Sequence, residues 1–306
     1  MTRRGLEVGV DVGGTKIAAG VIDATGAIVR SARRPTPTST DIPATIADLV
    51  REIAAGQELA AVGIGAAGFI SADRQTVLTA PNIDWNEAPL GQDVSALLGV
   101  PVVVENDANA AAWAEHRFGA GRGAQQMLAV TVGTGVGGGV VVDGHLVRGA
   151  HGIAAEVGHI RFERNGLLCG CGLYGCLEQY ASGTALERRA EGRLQGPGGA
   201  PVSGPEITRL ASIQDPAACE LLAEFGHDLG EGIATLVAVL DPEVVVIGGG
   251  VAEAGDRLLE PVRRGLAAFL TGGDERPGPR VVAAELGNQA GLVGAADLAT
   301  DPDADA

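Results

Sequence analysis

Apolar positions in the first 60 residues change their spacing at glycine-containing turns. Three short apolar runs, residues 6–10, 17–22 and 28–29, are separated by such turns, which predicts a β-meander. Apolar residues three and four positions apart then follow Asp41, a residue suited to cap a helix, and end at Gly56. The chain is therefore expected to begin with paired strands and to continue into an amphipathic helix.

Short apolar runs and longer helical stripes keep alternating along the rest of the chain. We expect strands at residues 61–65, 102–104 and 244–247, and helices at 94–98, 108–118, 216–240, 256–270 and 288–299. Residues 192–205 are rich in glycine and proline and predict a surface segment. This alternation is typical of an α/β protein.

The opening pattern returns 120 residues later. Residues 8–13, Val-Gly-Val-Asp-Val-Gly, align with residues 128–133, Leu-Ala-Val-Thr-Val-Gly, and Asp23 falls opposite Asp143. A strand, a glycine turn and a second strand that recur in this way predict two related α/β halves. Chance similarity between two strands rich in valine and glycine is the alternative.

Composition narrows the class of partner. The 306 residues carry a formal net charge of -16, and the sequence pI is about 4.7. Nucleic acids and anionic membranes bind basic surfaces, so neither is expected as a partner. No apolar run reaches the length of a membrane span, and the first four residues lead into the strand pattern without an apolar leader. We therefore expect a cytoplasmic protein.

Two glycine-rich turns are candidates for phosphate binding. The first contains Asp11, Gly13, Gly14, Thr15 and Lys16, and the second contains Gly133, Thr134, Gly135 and Gly137. Glycines let backbone N–H groups approach phosphate oxygens, and Asp11 would lie near a bound Mg²⁺. The first turn lacks the spacing of a P-loop, and alone it is equally consistent with a plain hairpin. Two turns together favour a site that holds a triphosphate.

Three of the four cysteines crowd into eight residues. With His159 they form the pattern His-x9-Cys-x-Cys-x4-Cys, made by Cys169, Cys171 and Cys176. Three thiolates and one imidazole suit a closed, tetrahedral zinc site of the structural kind. Because no secretory leader is evident, a disulfide framework is less expected than metal ligation.

These motifs together resemble one known family. They are residues 11–16, Glu105-Asn106-Asp107, residues 133–139, Glu156-x-x-His159, the cysteine cluster and Gly248-Gly249-Gly250. The set resembles the repressor/open-reading-frame/kinase (ROK) family of the actin and sugar-kinase superfamily, and within it the actinobacterial-type glucokinases most closely. The resemblance covers essentially the whole chain. The cysteine cluster is its most specific part, and the glycine turns are the least specific.

The resemblance implies a two-domain, ribonuclease-H-like/actin-like ATPase (sugar kinase) fold with a cleft between the domains. We expect a small α/β domain at residues 1–108 plus 289–306 and a large one at 109–288 that carries the zinc-binding loop. The implied activity is phosphorylation of the glucose 6-hydroxyl by ATP, with Mg²⁺ and a structural Zn²⁺. Relatives are commonly oligomeric, so a homodimer or homotetramer is expected.

The resemblance also assigns roles to individual residues. Asp107 is implied as the general base, and a carboxylate at a helix N-terminus is expected to stay ionised and ready to accept a proton. A plain helix-cap role for Asp107 is the alternative. Sugar contacts are implied for Gly68, Asn82, Asn106, Asp107, Glu156, His159 and Glu178. Nucleotide contacts are implied for both glycine turns and for Gly248, Gly249 and Gly250. Trp85 is expected to pack in the core rather than stack on a sugar.

Several other functions are compatible with parts of the pattern. The same chemistry on mannose, fructose, N-acetylmannosamine or N-acetylglucosamine is the nearest alternative, because relatives share most sugar contacts. Polyphosphate could replace ATP as the donor, although an acidic chain is a poor host for a polyanion. A sugar-sensing repressor is less expected, because the first motif begins by residue 11 and the net charge opposes DNA binding. A non-catalytic sugar-binding protein would not need both Asp11 and Asp107.

Overall fold

The computed structural model describes residues 5–80 and 82–300. Within these residues the chain forms strands β1 (Leu6–Val12), β2 (Lys16–Ile22), β3 (Ile28–Pro35), β4 (Leu59–Ala66), β5 (Phe69–Ile70), β6 (Val77–Thr79), β7 (Asn86–Ala88), β8 (Val102–Asn106), β9 (Met127–Val132), β10 (Val136–Val142), β11 (His145–Leu146), β12 (Val244–Gly248) and β13 (Arg280–Ala283). The α-helices are α1 (Ile42–Ala54), α2 (Leu90–Leu98), α3 (Asp107–Phe118), α4 (Glu178–Ala181), α5 (Gly183–Ala190), α6 (Gly204–Ser212), α7 (Pro216–Leu240), α8 (Asp256–Phe269) and α9 (Ala290–Leu298). The acidic C-terminal tail, residues 301–306, lies outside the described part of the chain.

Two five-stranded sheets share one strand order. The first sheet runs β3-β2-β1-β4-β8, and the second runs β11-β10-β9-β12-β13. In the first, β1 pairs antiparallel with β2 and parallel with β4, and β4 pairs parallel with β8. In the second, β9, β12 and β13 are parallel neighbours. This correspondence confirms the predicted repeat. Strands β5, β6 and β7 form a small antiparallel sheet.

The chain divides into two compact units. Unit 1 comprises Met1–Gly123, Gly139–Ala155 and Asn288–Ala306, and unit 2 comprises Ala124–Gly138 and Glu156–Gly287. The core of unit 1 includes Val8, Ile17, Ile46, Ile64 and Val104, all of which are fully buried. Trp85 belongs to the same core and is 7% exposed, which agrees with its predicted packing role.

Helix α9 packs against the first sheet through glycines. A Cβ atom on Gly9 or Gly63 would overlap a backbone oxygen of α9, and a Cβ on Gly294 of α9 would overlap the backbone of α3. The buried Asp297 carboxylate then accepts the Trp113 indole N–H at 2.8 Å and the Arg117 Nε–H at 3.0 Å. Both donors lie on α3, so α9 is held between the first sheet and α3.

The predicted helix α1 is present, but its start differs in detail. Asp41 precedes the helix as expected, yet its carboxylate accepts the Thr38 hydroxyl at 2.7 Å and makes no capping bond to the helix N–H groups. Ala55 ends the helix in the left-handed conformation, one residue before Gly56. Among the described residues, no helix is both long and apolar enough to cross a membrane.

Candidate functional site

Three parallel strands of unit 1 bring polar residues to one edge of the first sheet. Asp11 of β1 lies beside Gly65 of β4, and Asn106 of β8 lies beside Ala66. The carboxyl ends of parallel strands meet at the same edge, where α/β proteins commonly bind ligands. Gly291, in the first turn of α9, lies next to Asp11 and Asp107 at this edge. A Cβ atom there would lie 3.8 Å from both Asp11 Oδ1 and the backbone oxygen of Asp107.

The junction between β8 and α3 is fixed by Asn106. Its Oδ1 accepts the N–H groups of Ala108 and Asn109, each at 3.0 Å, and its Nδ2 donates to the Gly68 carbonyl at 3.1 Å. Asn106 is therefore the N-cap of α3. Asp107 is the first residue of the helix, and the N-cap position belongs to Asn106. The structure thus brings the predicted residues Gly68 and Asn106 into direct contact.

A buried ion-pair network supports this junction from behind. The Glu105 carboxylate is 2% exposed and accepts the Arg148 Nε–H at 2.7 Å. Its other oxygen accepts the Asn106 N–H at 3.1 Å and the Asn109 side-chain N–H at 3.2 Å. Arg74 Nε lies 3.7 Å from the same carboxylate. Charge-assisted bonds of this kind hold backbone geometry firmly, and here they hold the residue next to Asp107.

Burial changes the acidity of the two carboxylates at this edge. It raises the pKa of Asp107, and the lowering effect of the Ala108 N–H, whose nitrogen lies 2.8 Å from Asp107 Oδ1, does not compensate. Burial and the negative charge of Asp107 raise the pKa of Asp11 to about 6, although nearby Lys16 lowers it. Burial therefore acts on Asp107 in addition to the helix N-terminus. A carboxylate whose pKa is raised is a better proton acceptor.

The first glycine turn joins β1 and β2 in unit 1. Gly13 N–H donates to the Lys16 carbonyl at 3.0 Å, and Gly14, Thr15 and Lys16 are exposed. Thr36, just after β3, holds the turn from one side. Its hydroxyl donates to the Gly13 carbonyl at 2.6 Å, and its N–H donates to the Thr15 carbonyl at 3.1 Å.

Asn82, another predicted sugar contact, packs against the same turn. A Cβ atom on Gly14 would lie 3.1 Å from the Asn82 Cβ. Glycine at position 14 therefore lets the exposed Asn82 side chain approach the turn. Unit 1 thus gathers every site residue predicted within it: Asp11, Gly13, Gly14, Thr15, Lys16, Gly68, Asn82, Asn106 and Asp107.

The second glycine turn, Gly133 to Val136, joins β9 and β10 in unit 2. Gly133 N–H donates to the Gly135 carbonyl at 3.0 Å, and Gly137 lies within β10. Gly249, which follows β12, adopts a positive φ of 85° and packs on Val132 so closely that a Cβ would overlap its backbone. Gly248 pairs with Thr131 in the parallel ladder. Two predicted nucleotide segments, 133–135 and 248–250, are therefore neighbours within unit 2.

Glu178, predicted as a sugar contact, has a partner that the sequence did not indicate. Its Oε2 accepts the N–H of Val136 at 3.1 Å, at the end of the second glycine turn. The bond requires glycine at position 135, where a Cβ would lie 2.5 Å from that oxygen.

The four predicted metal ligands converge in unit 2. One ligand atom from each of His159, Cys169, Cys171 and Cys176 lies within 4.8 Å of all the others. His159 Nδ1 is 3.6 Å from Cys169 Sγ, and Cys171 Sγ is 3.6 Å from Cys176 Sγ. Tetrahedral zinc with bonds of about 2.3 Å to sulfur and about 2.0 Å to nitrogen separates its ligand atoms by about 3.5–3.8 Å. The donor set and its spacing therefore fit zinc.

The outer nitrogen of His159 faces Glu156. His159 Nε2 lies 3.9 Å from Glu156 Oε2, and the His159 N–H donates to the Glu156 carbonyl at 3.0 Å. With Nδ1 turned to the cysteines, Nε2 stays available for another partner. An imidazole that binds metal through one nitrogen commonly donates a hydrogen bond from the other, and the Glu156 carboxylate lies near that other nitrogen here.

Some residues that shape these sites gave no sequence signal. Thr36 and Gly291 stand outside every recognisable motif, and the arginines that pair with Glu105 are far from it in sequence. The repeat offered one clue, because a turn that occurs twice needs hydrogen bonds to its backbone in both copies. It does not say which residue supplies those hydrogen bonds.

Known proteins resemble this chain over nearly its full length. A glucokinase of Streptomyces coelicolor is 49% identical over 98% of this chain and 99% of its own length. The crystal structure of a ROK family glucokinase from Streptomyces griseus, in complex with glucose and AMPPNP, is 47% identical with a TM-score of 0.88 and covers 96% of this chain and 99% of that one. A ROK hexokinase from Thermus thermophilus is 40% identical with a TM-score of 0.81 over 96% of this chain and 97% of that one.

These likenesses confirm the predicted fold. The chain has the two-domain actin-like ATPase fold of the ROK sugar kinases. A sequence profile of the ROK family matches residues 7–302, nearly the whole chain. Together with the relatives described above, this match shows that the protein belongs to the ROK family.

Proposed function

We propose that this protein is an ATP-dependent glucokinase, which transfers the γ-phosphoryl group of ATP to the 6-hydroxyl of glucose. The observation that carries the proposal is the likeness, over nearly the full length, to glucokinases, one of which was crystallised with glucose and AMPPNP. The residues at the sheet edge of unit 1 supply a matching chemistry.

In the proposed reaction Asp107 is the general base. Its carboxylate accepts the proton of the sugar 6-hydroxyl while that oxygen attacks the γ-phosphorus. A bond forms between the sugar oxygen and phosphorus, the bond to the bridging oxygen breaks, and ADP leaves. The raised pKa of Asp107 supports this role, because a carboxylate with a higher pKa binds the transferred proton more strongly.

The predicted sugar-contact residues are proposed to bind glucose through their polar groups. In unit 1 these are Asn82, Asn106 and the backbone at Gly68, and the bond between Asn106 and Gly68 supports their common role. In unit 2 they are Glu156, His159 and Glu178. Carboxylates and amides grip neighbouring hydroxyls in pairs, so a sugar that lacks one hydroxyl leaves a polar group unpaired.

The two glycine turns and residues 248–250 are proposed to hold ATP. Glycine turns with free backbone N–H groups bind phosphate oxygens. Asp11 suits a bound Mg²⁺, because its carboxylate and that of Asp107 repel each other and a divalent cation relieves that repulsion. The cation would neutralise charge on the transferred phosphoryl group.

We further propose that the Cys/His cluster, defined as His159, Cys169, Cys171 and Cys176, binds a structural Zn²⁺. Its four donors fit that ion in type and spacing. Zinc would join the segment around residues 156–159 to residues 169–178 and so fix the loop that carries Glu156 and Glu178.

A sugar panel tests the proposed activity. ADP release from Mg·ATP is measured with glucose, mannose, fructose, N-acetylmannosamine and N-acetylglucosamine. Formation of the sugar phosphate is then measured with polyphosphate in place of ATP. We expect the largest kcat/KM with glucose and ATP. A larger value with another sugar would retain the mechanism and replace the substrate. Absence of turnover with every sugar, in folded protein that contains zinc, would contradict the proposal.

Other expectations remain predictions. The domain boundaries at residues 108 and 289 and the cytoplasmic location belong to this group. So does the oligomeric state. Light scattering coupled to gel filtration would separate a monomer from the expected homodimer or homotetramer.

A further inference from the structure

The two segments that carry the Cys/His cluster also hold Val136 of the second glycine turn. Gly158, next to His159, packs on Val136 so closely that a Cβ atom would overlap the Val136 carbonyl oxygen. Glu178, two residues after Cys176, accepts the Val136 N–H at 3.1 Å. Val136 is therefore contacted at its N–H and at its carbonyl by segments that the cluster joins.

Beyond Glu178 the chain reaches the same turn twice more. Gly183 N–H donates to the Gly133 carbonyl at 2.7 Å, and the Thr184 hydroxyl donates to the Thr134 carbonyl at 2.8 Å. Position 183 requires glycine for this approach, because a Cβ would lie 2.6 Å from the Gly133 oxygen. Residues 176–184 thus run from the Cys/His cluster to the turn and bind it at three positions.

Glu178 contacts both ends of this connection. One carboxylate oxygen accepts the Val136 N–H, and the other lies 3.7 Å from Cys169 Sγ. Glu178 therefore lies between Cys169 and the second glycine turn. Residues 158–159 provide a second connection through Gly158.

We propose that the Cys/His cluster fixes the position of the Gly133–Val136 turn, and that Glu178 and Thr184 are positioning residues for the nucleotide phosphates. The proposal rests on the proposed function, in which this turn binds the phosphates of ATP. Backbone donors that are already ordered bind a ligand more tightly, because less conformational entropy is lost on binding. Loss of the metal therefore weakens nucleotide binding as well as sugar binding.

Thr184 allows a test that leaves the metal ligands intact. Thr184→Val removes the hydroxyl, Thr184→Ser restores it, and Thr208→Val on α6 is a matched control within unit 2. The dissociation constant of Mg·AMPPNP is measured by calorimetry on protein with verified zinc content. We expect Thr184→Val to weaken binding about threefold to tenfold, the range that the net contribution of one hydrogen bond allows. Thr184→Ser and Thr208→Val should bind as the unmodified protein does, and glucose affinity should not change in any variant.

Amide hydrogen exchange tests the connection without any ligand. In protein stripped of zinc but still folded, as judged by its melting curve, the amides of Val136 and Gly183 should exchange faster than in the zinc-loaded protein. Coupling between two sites is reciprocal, so saturating Mg·AMPPNP should also raise the affinity for zinc, measured at equilibrium by competition with a zinc-selective chelator. This rise in affinity should be smaller in Thr184→Val.

Two results would overturn the proposal. One is Mg·AMPPNP affinity in Thr184→Val equal to that in Thr184→Ser. The other is unchanged exchange at Val136 and Gly183 after zinc removal. Failure of the unmodified protein to bind Mg·AMPPNP would instead contradict the proposed function, and the exchange measurement would still decide whether the cluster positions the turn.

Discussion

The two five-stranded sheets have the same strand order but carry different groups at equivalent positions. Asp11 on β1 pairs with Gly65 on β4, and at the corresponding place Thr131 on β9 pairs with Gly248 on β12. One copy of the sheet therefore presents a carboxylate where the other presents a hydroxyl. The repeated backbone supplies the same edge twice, and the side chains at each edge decide its chemistry.

The two glycine turns also differ in the residues that donate hydrogen bonds to them. In each, a threonine hydroxyl and a backbone N–H donate to carbonyls of the turn: Thr36 provides both in the first, and Thr184 and Gly183 provide them in the second. Thr36 simply follows β3, whereas Gly183 and Thr184 belong to a segment that begins at the Cys/His cluster. Similar local geometry is thus reached by different routes, and the second route begins at the Cys/His cluster.

The largest expected effect comes from the carboxylate chemistry of unit 1. Asp107→Asn keeps the shape of the side chain and can still accept the Ala108 N–H, but it cannot accept a proton. We expect kcat to fall by about 10²- to 10⁴-fold, the range typical of a lost general base. Steady-state turnover with direct measurement of glucose binding checks this.

Asp93→Asn, on the exposed face of α2, is the matched control and should retain full activity. If Asp107→Asn lost glucose binding together with turnover, the residue would be a binding group and not the base. If it retained turnover, the assignment of acid–base chemistry to unit 1 would be wrong.

The next largest effect should come from the Cys/His cluster of unit 2. Cys176→Ala removes a buried ligand, so zinc content should drop below one ion per chain. Most substitutions cost about 0.5–3 kcal/mol in unfolding free energy, and loss of a metal is among the few changes that exceed this range, so we expect a loss of more than about 3 kcal/mol. Calorimetric melting and metal analysis measure both quantities.

Cys219 provides the control for that experiment, because it lies on α7 apart from the cluster. Cys219→Ser should keep its zinc and most of its stability. Equal zinc loss in the two variants would mean that the four predicted ligands do not bind the metal.

Periodicity predicted much of the scaffold because the relevant signals are local. Helix α7 spans Pro216–Leu240, in agreement with the prediction of a helix over about residues 216–240, since proline opens this helix and a continuous stripe of apolar residues fills it. The repeat predicted two related halves, which the common strand order confirms. The Cys/His cluster was likewise predictable, because its spacing lies within one short stretch of chain.

Other features depend on contacts between distant residues and could not be predicted. Strand β13 is only four residues long, and it exists because β12 offers an edge to pair with. The bond between Glu178 and Val136 joins residues 42 positions apart and has no motif. The acidity of Asp107 depends on burial, which a sequence pattern does not reveal.

A smaller effect should distinguish Asp11 from its counterpart Thr131. The pKa of Asp11 is raised from the ordinary value of 3.8 to about 6. Between these two pH values the folded protein keeps a proton on Asp11 that the unfolded chain has already released. This contribution to stability is complete below about pH 4 and is lost as the pH rises to about 6, because the unfolded chain then binds fewer protons. Asp11→Asn cannot ionise and avoids the loss.

In protein free of metal and nucleotide, we expect Asp11→Asn to be more stable than the unmodified protein at pH 8 by about 1–3 kcal/mol. The difference should shrink towards pH 4. Melting temperatures across this pH range provide the measurement, and a difference that does not change with pH would show that Asp11 titrates as an ordinary carboxyl group.

The smallest expected effects compare the two turn supports directly. Thr36→Val and Thr184→Val each remove one hydroxyl that donates to a turn carbonyl, at 2.6 Å and 2.8 Å respectively. The Thr36 bond is partly buried and the Thr184 bond is exposed. Loss of the Thr36 bond should therefore lower the unfolding free energy more, by about 1 kcal/mol against about 0.5 kcal/mol for Thr184, within the usual range for a hydrogen bond. Urea denaturation of both variants, with serine at each position as the control, measures this order.

Zinc removal should change nucleotide affinity to a smaller extent in Thr184→Val than in Thr36→Val, because only the second turn is connected to the Cys/His cluster. An equal change in both variants would mean that the two supports do not differ in the way their connections suggest.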